Sequence, residues 1–97
     1  MILRAYGRAS IIHPRDEAWR DLITLFPHRR GSRQIIDLAV DFVLKSCGFG
    51  VPLYDFLEQR DTLRLWEENK GDEGIHAHWA AHNQVSIDDK PTLLLKD

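Results

Sequence analysis

The chain has 97 residues, of which 43% are hydrophobic and 29% charged, with a formal net charge of −2. That length suggests one domain, and the composition is that of a globular rather than a disordered chain. The near-balanced charge gives no electrostatic reason for a nucleic acid or an anionic membrane as partner, no apolar run approaches the roughly 20 residues that span a bilayer, and one cysteine excludes an intrachain disulfide framework.

Residues 2–13 alternate. Leu3, Ala5, Gly7, Ala9 and Ile11 form an apolar or small face, and Arg4, Tyr6, Arg8 and Ser10 a polar one, which predicts a strand. Gly7 is placed to mark a bend or bulge. Pro14 ends the strand. Asp16 is a candidate N-cap for a short amphipathic helix carrying Trp19, Leu22, Ile23 and Phe26, which must stop before Pro27. Residues 27–33 read as a polar loop whose cluster, Arg29, Arg30 and Arg33, has the character of a solvated surface.

Residues 34–45 predict a second strand with Ile36, Leu38, Val40, Phe42 and Leu44 on one face and Asp37, Asp41 and Lys45 on the other. Ser46-Cys47-Gly48-Phe49-Gly50-Val51-Pro52 follows at once as a tightly punctuated turn. Leu53, Phe56 and Leu57 begin a helical or irregular stretch. Asp61 or Thr62 can cap a helix bearing Leu63 and Trp66, with Gly71 as its stop, and Asp72 can cap another bearing Ile75 and Trp79. The tail from Ser86 to Asp97 is expected to be only partly ordered unless it docks on a partner. The organisation is a strand-helix-strand part (1–52), a helical part (53–85) and a tail (86–97) within one α+β domain.

Two strands cannot close a barrel, and an isolated two-stranded sheet is marginal in water. The first strand begins at the first residue with no turn before it. Completion by oligomerisation or by a preceding half of a larger domain is therefore expected.

Three blocks carry a resemblance: Leu3-Arg4-Ala5-Tyr6-Gly7-Arg8-Ala9 followed by His13-Pro14-Arg15-Asp16 and Trp19; Arg33-Gln34-Ile35-Ile36 leading to Ser46-Cys47-Gly48-Phe49-Gly50-Val51-Pro52-Leu53; and Glu58-Gln59-Arg60-Asp61-Thr62-Leu63 with Trp66, Lys70-Gly71, Trp79, Asn83 and Ser86-Ile87-Asp88. In order and spacing they resemble the pyridoxamine 5′-phosphate oxidase-like, FMN-binding split-barrel family. The resemblance implies a C-terminal half, since members are about twice as long. It also implies a partial split β-barrel, an FMN-dependent oxidoreductase of unspecified substrate, and a homodimer with FMN at the subunit interface. The chain departs from the family pattern at Leu44-Lys45, where Gln-Thr is more usual, at Phe49, where Tyr is common, and at Asp89, where Gly is usual.

A flavin carries its own redox chemistry, so no catalytic side chain is required. The candidate cofactor-binding residues are Ser46, Gly48, Phe49, Gly50, Arg4 and Arg8. The glycines either aim backbone N–H groups at a ligand or simply make the turn, and Phe49 either covers a ring or fills a gap. Arg4 and Arg8 are either an anion-contacting stripe or partners of Asp37 and Asp41. Cys47 lacks an identifiable base and reads as an inert thiol. His78 and His82 are four apart, a spacing that can chelate zinc, but no third ligand is recognisable and no metal site is assigned. Trp19, Trp66 and Trp79 read as core. The lone cysteine and the absence of a signal-peptide pattern at Met1-Ile2-Leu3-Arg4 fit the cytoplasm. A truncated, non-catalytic oligomeric domain that binds no flavin is the alternative.

Overall fold

A computed structural model describes residues 1–96. Strand β1 (Ile2–Ile12) pairs antiparallel with β2 (Ile35–Ser46), with Ile2 opposite Ser46 and Ile12 opposite Ile35. Between them lie α1 (Trp19–Leu22) and a 3₁₀ turn (Ile23–Leu25); α2 (Thr62–His82) follows. The chain is thus α+β with a two-stranded antiparallel sheet.

The alternating pattern of β1 forms its strand, and Gly7 sits at the irregularity expected of it. Tyr6 faces Phe42 but Gly7 faces Val40, so Asp41 is the extra residue of a β-bulge. A Cβ at position 7 would drive into the Ala39 carbonyl, so only glycine fits the close approach.

The bulge also corrects the expected faces of β2. Paired residues point to the same side of a sheet. Ile36, Leu38 and Val40 therefore stay with Ile11, Ala9 and Gly7, whereas Phe42 and Leu44 cross to the side of Tyr6 and Arg4. Val43 takes their place beside Ala5. One face is thus apolar from Leu3 to Ile36, with Lys45 at its end. The other mixes Arg4, Tyr6, Arg8, Ser10, Asp37, Phe42 and Leu44.

Helix α1 is shorter than its periodicity implies, and Asp16 does not cap it. The Asp16 carboxylate instead turns back to accept the His13 backbone N–H at 2.7 Å, and Ala18 precedes the helix with no side-chain cap. The chain leaves the 3₁₀ turn at Phe26 in extended geometry (φ −121°, ψ 152°), as a residue before proline must. Residues 53–61 form no regular element. Leu53, Phe56 and Leu57 are almost fully exposed there, with no surface to bury against.

Gly71 breaks α2 into two helical segments, as its place in the sequence suggests. Its backbone, at φ 65° and ψ 176°, lies in a region open essentially to glycine alone. In a straight helix Trp66 and His78 would stand about 18 Å apart along the axis. Here their ring centroids are 5.1 Å apart, edge to face, so the second segment folds back on the first.

The tail, expected to need a partner to dock on, instead contacts this chain itself over residues 85–94. Val85 pairs with Pro91 across a turn in which Ser86 N–H donates to the Lys90 carbonyl and Asp89 N–H to the Ser86 carbonyl. Asp89 takes φ 59°, the conformation for which a three-residue hairpin loop favours glycine. Beyond it, Arg15 donates to the carbonyls of Leu93 (2.7 Å) and Leu94 (3.2 Å), and Leu94 is buried.

The hydrophobic core is small: Ile35, Ile75 and Leu94 are buried, together with His13 and Glu67. Ile35 opens β2, Glu67 and Ile75 lie in the two segments of α2, and Leu94 lies in the tail. The rest of the ribbon is open. The accessible surface is 8734 Å², against about 5,700 Å² for a compact monomer of this mass. The radius of gyration is 17.1 Å, against about 12.5 Å for a closed domain of this length.

Candidate functional site

The polar face of the sheet is the best-formed candidate. Because side chains alternate along β1, Arg4, Tyr6 and Arg8 project from one side, with the two guanidinium-bearing residues about 13 Å apart along the strand. The bulge brings Phe42 to that same side, where its ring lies 5.6 Å from Tyr6 at an interplanar angle of 46°. Were Asp41 paired in regular register with Tyr6, Phe42 would fall opposite Ala5 and face the other way.

Arg4 and Arg8 form no ion pair and no side-chain hydrogen bond among the described residues. The bridges to Asp37 or Asp41 weighed from the sequence are therefore not made. Asp37 lies opposite Ser10, and Asp41 is the bulged residue. Two uncompensated cations flank an aromatic pair, an arrangement suited to an anionic ligand that carries a ring.

Ser46 closes β2 opposite Ile2, on the side that carries Arg4 and Arg8, and is half-buried. The loop beyond it does not converge on the arginines. Val51 N–H donates to the Gly48 carbonyl at 3.0 Å, so Phe49 and Gly50 are the central residues of a tight turn. Neither Gly48 nor Gly50 takes positive φ. Gly48 lies against the chain's N-terminus, where an added Cβ would approach the Met1 nitrogen at 3.1 Å, and Gly50 faces open space. Phe49 is 96% exposed and fills no gap in the chain itself.

The other chemistry-bearing residues stay apart from this face. Cys47 is an exposed free thiol. His78 and His82 stack with ring centroids 4.7 Å apart, and no cluster of three or more His, Cys, Asp or Glu residues able to hold a metal occurs among the described residues. No helix among them is long and apolar enough to cross a membrane.

Sequence reasoning missed three contacts. Arg29 pairs with buried Glu67, Arg30 with Asp72 at 2.9 Å, and Arg15 holds the tail. The arginine cluster at 29–33 was legible as a cluster, but its partners lie 38 and 42 residues away and left no local signal.

The chain matches no family model, no curated protein and no solved structure.

Proposed function

We propose that this chain is the C-terminal half of a pyridoxamine 5′-phosphate oxidase-like, FMN-binding split barrel that serves as a cytoplasmic oxidoreductase and assembles as a homodimer. The observation that carries this reading is the pair of unpaired cations, Arg4 and Arg8, flanking the Tyr6–Phe42 rings on the Ser46 side of the sheet. Bound FMN would supply the redox chemistry itself. The task left to this chain is to bind and orient. Arg4 and Arg8 hold an anionic group by charge-assisted hydrogen bonds, and Tyr6 and Phe42 offer faces for ring stacking. The roughly 3,000 Å² of excess surface is the room in which further strands complete the barrel, from a second subunit or from a preceding segment.

A second reading is a non-catalytic oligomeric domain that binds no flavin. It is favoured by the loop of Gly48, Phe49 and Gly50, which does not gather around the arginines.

One titration separates the two readings. FMN added to the purified protein is followed by quenching of flavin fluorescence, while light scattering on the same sample reports the oligomer. Saturation near one equivalent per chain or per dimer, weakened by Arg4→Gln with Arg8→Gln, supports the flavin reading. An oligomer that takes up no FMN overturns it and leaves the second.

A further inference from the structure

A pocket is lined in part by Arg33, two residues before β2, whereas Ser46 closes the far end of that 12-residue strand. The pocket is a cleft of about 450 Å³ between the two segments of α2 and the loop before β2. That volume is within the range of small-molecule sites.

Its walls have a definite chemistry. Trp66 and Trp79 both line it, and His78 stands edge-on to Trp66 between them in sequence. Glu67 also lines the cleft, but its carboxylate is already matched by the two hydrogen bonds from Arg29. Arg33 is not matched. Its Nη1 donates to the Asn83 side-chain oxygen at 2.7 Å, a neutral partner, and it has no carboxylate partner among the described residues. Asn83 therefore fixes the guanidinium at the rim while leaving its charge and its remaining donors free. Lys70, outside the lining, lies 5.8 Å from the Trp66 ring centroid and makes no ion pair among the described residues. Arg33 is thus the charged lining residue without a charged partner among the described residues, and Trp66, His78 and Trp79 supply aromatic walls.

We propose that this cleft binds a small aromatic carboxylate, with the ring between Trp66 and Trp79 and the carboxylate on Arg33. A guanidinium held by one edge presents the other for a planar, two-pronged contact with a carboxylate. The fold-back at Gly71 creates the site, because it brings the two tryptophan-bearing segments to one cleft. The proposal is independent of flavin binding on the sheet face.

The test uses the full chain labelled with ¹⁵N and titrated with 2-naphthoate. Three indole N–H signals are available, and Trp19→Phe assigns the one outside the cleft. Saturable shifts of the Trp66 and Trp79 signals with Trp19 unmoved are expected. Arg33→Gln, at an exposed position, should keep the circular dichroism spectrum and weaken binding about tenfold or more. The neutral analogue 2-naphthalenemethanol should bind the unaltered protein about as weakly, which tests the charge requirement without any substitution. Absence of saturable binding, a response centred on Trp19, or equal affinity for the neutral analogue overturns the proposal.

Discussion

Arg29 grips Glu67 with two hydrogen bonds, Nε to Oε2 at 3.2 Å and Nη2 to Oε1 at 3.1 Å, and so ties the loop before β2 to the first segment of α2. The Glu67 side chain is only 7% exposed, while the Arg29 side chain is 42% exposed. Gly31 lines the same spot: a Cβ there would come within 2.6 Å of Glu67 Oε1.

Removing one partner of such a pair leaves a buried charge without compensation, a far larger effect than losing a surface bridge. Arg29→Ala should destabilise the protein by about 2–3 kcal/mol, below the 3–5 typical of fully buried pairs because the guanidinium is partly solvated. Arg30→Ala, whose partner Asp72 is exposed, should cost no more than about 0.5 kcal/mol. Urea denaturation of the two variants side by side checks the contrast; equal midpoints would contradict it.

Gly71 carries the fold-back of α2 at a backbone conformation that a Cβ does not tolerate. Nothing lies within 4 Å of a Cβ built there, so the cost of Gly71→Ala is conformational and not steric crowding by neighbours. A loss of about 1–3 kcal/mol is expected. The Trp66–His78 contact depends on the same turn. The variant should therefore also change the near-ultraviolet circular dichroism of the tryptophans, whereas Gly50→Ala, in open space, should change neither.

Elements set by local pattern were legible in the sequence, and those set by distant partners were not. The strands, the bulge at Gly7 and the break at Gly71 follow from alternation and from the special geometry of glycine. The face occupied by Phe42 was misread because one bulged residue reverses every side chain beyond it. Asp16 was misread as a forward cap because an aspartate can bond in either direction along the chain, and the turn after β1 decides which. The docking of the tail rests on Arg15, 78 and 79 residues away from the carbonyls it holds.

That clamp gives a third prediction. Arg15 Nη2 reaches the Leu93 carbonyl and lies 3.3 Å from His13 Nδ1, while Nη1 reaches the Leu94 carbonyl. Arg15→Ala frees these acceptors to water and loosens the segment that buries Leu94. The Thr92 amide, bonded to the Gln84 carbonyl, should then exchange with solvent about tenfold faster, with the amides of the β1–β2 ladder unaffected. Unchanged exchange at Thr92 would show that the hairpin before it holds the tail unaided.

Asp88 supplies a pH dependence local to the turn at residues 86–90. Its carboxyl is held below the ordinary carboxylate range, first by the Ser86 hydroxyl, which donates at 2.6 Å, and then by Lys90, whose Nζ lies 2.9 Å away. A carboxyl with a lower value in the folded than in the unfolded state stabilises the fold above its unfolded value, and the contribution is lost as pH falls through the folded value. Protection of the Asp89 and Lys90 amides should therefore decline on acidification below the ordinary carboxylate range. Asp88→Asn should flatten that decline and leave the protein's stability at neutral pH little changed, since the group is exposed.

The open sheet predicts self-association. Val40 lies in the apolar part of the face that ends at Lys45 and is 52% exposed in the single chain. In a monomer Val40→Lys would be nearly neutral, since a lysine at a half-exposed position reaches water along its stem. If a second copy covers this face, the same substitution buries an ammonium group with no partner. Light scattering should find the unaltered chain dimeric or larger, and Val40→Lys should raise the concentration for half-dissociation on the order of a hundredfold. Arg20→Lys, on the exposed side of α1, is the matched control. A monomer at all concentrations would mean that the roughly 3,000 Å² of excess surface is covered by something other than a copy of this chain.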